Sequence, residues 1–124
     1  MRLTEHFTKE EFDSKDGAEM PQEVFERIQD LAVDLELLRT FLGVPIKINS
    51  GYRSPSHNDY VGGSPNSQHL KGTAADLNTG LDSKYVANVL EGLIRLGLIE
   101  QGGIGIYDTF VHYDQRGTKA RWDG

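Results

Sequence analysis

From Glu23 to Leu42 the apolar residues Val24, Ile28, Leu31, Leu35 and Leu38 recur at spacings of three and four. Side chains at that period share one face of an α-helix, so the stretch predicts a long amphipathic helix. Arg27, Asp30, Asp34 and Glu36 fall on its water-facing side. Pro21 stands near its start, and Gly43 is placed to end it in a left-handed cap. The helix reads as a packing element with no chemistry of its own, and the rest of the chain has to receive its apolar stripe.

Three short runs are the candidate strands for that purpose. Pro45–Ser50 puts Ile46 and Ile48 on one face. Gly102–Tyr107 and Phe110–Asp114, separated by Asp108-Thr109, predict a hairpin. A second amphipathic helix is expected over 82–96, with Val86, Val89, Leu90, Leu93 and Ile94 on its buried side and Gly97 as its stop. Residues 1–17 read as an N-terminal arm, with one helical turn at Thr8–Phe12 started by a capping box and tacked down by Phe7 and Phe12. Residues 56–66 read as a loop walling a site, and 115–124 as a polar tail whose Trp122 is pinned back to the body. With 124 residues, one domain covering 1–124 is expected.

Charge and composition narrow the function classes. Nineteen acidic residues against 13 basic give a net charge of -6, and the one basic pulse is Arg116, Lys119 and Arg121, so no nucleic-acid partner is expected. No apolar run approaches the roughly 18 residues of a membrane span, and residues 1–20 lack the apolar core of a secretion signal. Neither membrane insertion nor signal-directed export is therefore expected. The chain has no cysteine, which leaves His, Asp and Glu as metal ligands.

Four histidines are present: His6, His57, His69 and His112. His69 and Asp76 bracket a segment of small residues that suits a turn entering a buried strand. His112 lies in a candidate strand whose alternation puts Phe110, His112 and Asp114 on one face. His69, Asp76 and His112 together form a two-histidine, one-carboxylate set suited to Zn2+, with a fourth position left for water. Arg53, at a strand exit, is the natural clamp for a substrate carboxylate. Asp114, Asp108 and Glu100 are the candidate general bases, and Asp114 has a second possible role in orienting a ligand histidine. Spacing alone does not choose between them.

These residues resemble a known family. Ser67-Gln68-His69 through Gly72, Ala74 and Asp76 is similar to the S-x-H-x-x-G-x-A-x-D signature of the D-alanyl-D-alanine carboxypeptidase family of zinc peptidases. Ile48–Pro55 with Asn58 and Gly62-Gly63, and Gly103–Tyr107 with Phe110–Gly117, resemble the small single-domain branch found in bacterial and phage proteins. The likeness covers nearly the whole chain. It implies a hedgehog-type, DD-peptidase-like α+β fold with helices packed on a small antiparallel sheet. It also implies His69, Asp76 and His112 as zinc ligands, Arg53 as the group that binds or polarises substrate, and Ser67 as a site-lining hydroxyl. Members hydrolyse bonds involving D-amino acids in peptidoglycan, as carboxypeptidases, dipeptidases or endolysin endopeptidases. The expected partner is thus a stem peptide and the expected oligomeric state a monomer, with release by phage lysis one route to the wall.

One departure stands out. Many relatives place an acid three residues before the last histidine as general base, and here that position is Thr109. The base role is then expected at Asp114, and His57 is a further candidate for contacting substrate. The alternative reading is a non-catalytic, zinc-containing cell-wall-binding or phage structural module of the same fold. A metal-independent α+β domain is a third reading, in which the three ligand types coincide by chance.

Overall fold

The computed structural model describes residues 1–124. The long periodic stretch forms helix α1 (Gln22–Leu42), which buries Val24, Ile28, Leu31, Ala32, Leu35, Leu38 and Leu42. Gly43 ends it at φ 72° and donates its N–H to the Arg39 carbonyl, a conformation that costs a glycine little. Helix α3 (Ser83–Arg95) follows the second periodic stretch and is capped by the Asp82 carboxylate. Its Val86, Leu90 and Leu93 are buried, whereas Val89 and Ile94 are only half-buried at the flank of its apolar face.

Five strands make the sheet that receives these helices: β1 (Lys47–Ser50), β2 (Ala74–Asn78), β3 (Gly103–Ile106), β4 (Val111–Asp114) and β5 (Ala120–Asp123). Their order is β1-β2-β4-β3-β5. The predicted hairpin is present as the antiparallel β3–β4 pair, and β1–β2 and β2–β4 are antiparallel as well. β5 instead runs parallel to β3, so the α+β class holds while the sheet is mixed. This strand is the main correction to the expected polar tail. Alternation explains why its pattern is hard to read, since the edge position leaves Ala120, Arg121 and Trp122 half-buried with no apolar run.

Strand alternation divides the sheet into two chemically different faces. Ile48, Ala75, Leu77, Ile104, Val111 and Tyr113 face the helices and join a buried cluster of 23 residues. The other face carries one row of cross-strand neighbours. Ser50 pairs with Asp76, Asp76 with His112, His112 with Gly105, and Gly105 with Trp122. All five strands contribute one residue to this row.

The N-terminal segment is more than an attached arm. Phe7 and Phe12 are fully buried members of the core, with rings 6.0 Å apart. The expected helical turn is a 3-10 turn over Lys9–Phe12, where the Glu11 carboxylate accepts from the Thr8 amide at 2.9 Å. Phe12 lies so close to Gly51 that a Cβ there would sit 2.7 Å from the Phe12 Cα. Residues 56–66 are not entirely loop, because Pro55–Tyr60 form a short helix, α2, whose N-cap Ser54 accepts from the His57 amide. Proline at its first position needs no hydrogen-bond donor there, which suits a helix start. No helix of the protein is long and apolar enough to cross a membrane.

Candidate metal centre

The Asp76–His112 pair lies at the middle of the row, where β2 and β4 bring a carboxylate and an imidazole directly opposite each other. His69 arrives from the 3-10 turn Gln68–Lys71 that leads into β2. Gly72, at φ 78°, closes this turn against Val24 of α1, where a Cβ would meet the Val24 Cγ1 at 2.7 Å. Asp76 Oδ1 then lies 3.3 Å from His69 Nε2 and 3.1 Å from His112 Nδ1. One donor atom from each of the three residues falls within 4.8 Å of the others, and all three residues are buried.

The opposite ring nitrogens decide which atoms are free to bind. His69 Nδ1 is 2.7 Å from the Gly51 carbonyl, an acceptor only, so Nδ1 keeps its proton and Nε2 is the nitrogen left to face Asp76 or a cation. His112 Nε2 donates to Asp114 Oδ2 at 2.7 Å, which leaves Nδ1 to face Asp76 or a cation. Burial opposes charge on His112, but its bonds to Asp114 and Asp76 outweigh that and raise its pKa. Burial also works against the Asp76 carboxylate, and the hydrogen bonds from His112 and His69 overcome it, holding its pKa well below the usual range. Two imidazole nitrogens and one carboxylate oxygen, with tautomers fixed from behind, fit Zn2+. Tetrahedral coordination at about 2.0–2.1 Å sets ligand atoms roughly 3.3 Å apart, close to the separations found at Asp76.

A cleft of about 510 Å³ opens over this cluster. Arg53 and Ser67 line it. Arg53 is held by Ser50 Oγ (3.2 Å) and Asn58 Oδ1 (3.3 Å), with Nη2 3.5 Å from Asp76 Oδ2. Asn58 is buried and donates in turn to the Ser64 carbonyl, so α2 and the segment after it share one polar anchor. Gly63 makes room for that anchor, because a Cβ there would be 2.2 Å from Asn58 Oδ1.

Two expectations need correction, those for Asp114 and His57. Asp114 is fully buried and does not line the cleft. Its Oδ1 accepts from the Gly103 amide and from the amide and Nε of Arg116; its Oδ2 accepts from His112 Nε2 and Arg116 Nη2. Burial disfavours the ionised form, but the Arg116 and His112 bonds prevail and depress the pKa. A carboxylate so saturated has no lone pair left to take a proton from water, and its position is that of a group orienting His112. Asp108 is exposed on the β3–β4 turn and Glu100 lies on another surface, so neither replaces it, and Asp76 is the only carboxylate lining the cleft. His57 also lies outside the cleft and stacks on Tyr60 at 6.3 Å.

The structure adds residues that the sequence did not single out. Tyr107, Phe110, Arg116 and Trp122 form the cleft wall beside His112. Their signal was weak: one tryptophan in a polar segment, and an aromatic on each side of a turn. The spacing Gly103-Ile104-Gly105 was the better clue. Both glycines lie on the His112 side of the sheet, where a Cβ on Gly103 would meet Asp114 Oδ2 at 2.3 Å and one on Gly105 would meet Trp122 Nε1 at 2.4 Å.

Comparison with known proteins bears on the family of the chain. A zinc D-Ala-D-Ala carboxypeptidase of Streptomyces albus G is 47% identical over 47 residues, which cover 37% of this chain and 18% of that protein. The likeness therefore spans well under two thirds of that relative. A family model described as Peptidase M15 matches residues 2–114, a span that contains His69, Asp76, His112 and Asp114 and stops before β5. With nearly the whole chain matched, this protein belongs to the peptidase M15 family.

Proposed function

We propose that the protein is a zinc metallopeptidase hydrolysing bonds that involve D-amino acids in peptidoglycan stem peptides. The observation carrying this reading is the convergence of His69 Nε2, Asp76 Oδ1 and His112 Nδ1 on the floor of an open cleft. Those three residues would hold the ion, which when bound supplies Lewis acidity for activating water and polarising a carbonyl. Asp114 keeps the His112 proton on Nε2, and the Gly51 carbonyl does the same for Nδ1 of His69. Arg53 points a guanidinium at the same floor and is suited to a substrate carboxylate or to charge growing on the carbonyl oxygen. Ser67 and Gln68 line the polar side of the cleft.

A metal-retaining module that binds cell-wall peptides without cutting them is the second reading. One observation favours it: with Asp76 committed to the metal set, no further carboxylate lines the cleft to take a proton. The two readings separate in one experiment. Zinc-loaded protein is incubated with a panel of muropeptides, and products are followed by mass spectrometry. Cleavage next to a D-amino acid is expected, with loss of about 100-fold or more on chelation and in His69→Ala. Full zinc occupancy and peptide binding without turnover would establish the module instead.

A further inference from the structure

The wall formed by β5 carries an inference that rests on the peptide-binding reading of the cleft. Trp122 is the only tryptophan of the chain. Its indole lies across Gly105, where the missing side chain opens the way to His112, and the two rings are 5.0 Å apart at 49°. The Arg116 guanidinium stands 5.5 Å over the same indole. Trp122 Nε1 donates to the Tyr107 hydroxyl at 2.9 Å. The Tyr107 ring is in turn stacked on Phe110 at 4.3 Å and 5°. Position and orientation of the phenol are thereby fixed from two sides.

A phenolic hydroxyl has one proton to donate and can accept through its oxygen. The indole N–H occupies the accepting side, and no group of the protein accepts the Tyr107 O–H. Tyr107 lines the cleft and is only half-buried, so that proton is available to whatever enters. From this geometry we propose that Tyr107 is a substrate-binding residue, and that Trp122 is the positioning residue that aims it. The indole packs against His112, and the hydroxyl is bonded to the Nε1 of that indole. The acceptor it meets is therefore a carbonyl or carboxylate oxygen of the residue neighbouring the reacting bond. An extended peptide advances about 3.3–3.6 Å per residue, a step that an indole can bridge. The family match ends at residue 114, before the strand that supplies Trp122, so this subsite is built partly from a segment outside that match.

The test compares zinc-loaded wild type, Tyr107→Phe, Trp122→Phe and the double variant on a D-Ala-D-Ala-terminated muropeptide. Each single variant is expected to raise KM about three- to tenfold, the range for one lost neutral hydrogen bond, with kcat changed less than threefold. The double variant should be no worse than Tyr107→Phe, because Trp122 acts through it. Zinc affinity, read by chelator competition, should be unchanged in Tyr107→Phe. Should the wild type bind without cutting, calorimetric Kd replaces KM for the same four proteins, so that a failed peptidase reading leaves the inference testable. A Tyr107→Phe value within twofold of wild type, additive losses in the double variant, or no binding by the wild type would each overturn it.

Discussion

At the scale of single residues, the candidate site depends on what stands behind each metal-facing side chain. Asp114 is the clearest case, because it faces His112 on one side and a bidentate Arg116 on the other. Asp114→Asn should therefore weaken zinc binding about 10- to 100-fold, the usual effect of losing a carboxylate behind a ligand histidine. Calorimetry or chelator competition measures this, and an affinity equal to wild type would return Asp114 to the status of a structural ion pair. Residue type and motif singled out His69, Asp76 and His112, which the structure brings together, and the period of two put His112 and Asp114 on one face, where they are bonded. Which of its two candidate roles Asp114 takes was not legible. It depends on Arg116 folding back across two residues and on a Gly103 amide brought in from the neighbouring strand, neither of which is a property of local spacing.

Between elements, the N-terminal segment acts as a brace for the cleft. Phe12 accepts from the Tyr52 amide and presses on Gly51, whose carbonyl orients His69. Two residues beyond Phe12, Ser14 accepts from the Ser54 amide, and the Asp16 carboxylate accepts from the hydroxyls of Ser54 and Ser14. Those bonds, led by that from Ser54, lower the Asp16 pKa from 3.8 to about 2. A depressed carboxylate pKa stabilises the fold above the unfolded value and loses that contribution as pH falls through the folded one. Wild type should accordingly lose stability between about pH 4 and pH 2 more steeply than Asp16→Asn, as followed by circular dichroism across an acid titration. Superimposable acid curves would remove Asp16 from the brace. Sequence reading found the turn at Thr8–Phe12 but not its importance, since two phenylalanines among charges give no clue to what they pack on. The strand β5 escaped for a related reason. An edge strand joined to α3 through the Arg121–Glu91 ion pair needs little apolar surface of its own.

Across the whole molecule, scaffold and site divide cleanly between the two faces of one sheet. α1 lays Ile28, Leu31, Leu35 and Leu38 on the helix side, all completely buried. Leu35→Ala should cost about 2–5 kcal/mol in denaturant unfolding, the range for a leucine deleted from a packed core. Below the unfolding transition the same variant should bind zinc as wild type does. A large fall in zinc affinity there would mean that the core and the metal face are coupled through the sheet. Most of this core was readable, because helical and strand periods report directly on burial. The Asp34 carboxylate shows the limit: assigned to water by period, it accepts from Gln115 at 2.7 Å and from the Glu100 amide at 3.0 Å, joining α1 to segments distant in sequence.

The row Ser50–Asp76–His112–Gly105–Trp122 also bears on how the chain finds its pairing. A slip of β4 by one residue would turn His112 and Asp114 toward the leucines of α1 and send Val111 and Tyr113 to the open cleft. Burying those polar groups without partners is far costlier than misplacing an alanine or a valine. The residues suited to holding a cation thus make the wrong alignments of a short-stranded sheet expensive, and the chain gains fidelity in folding from side chains whose use is chemical.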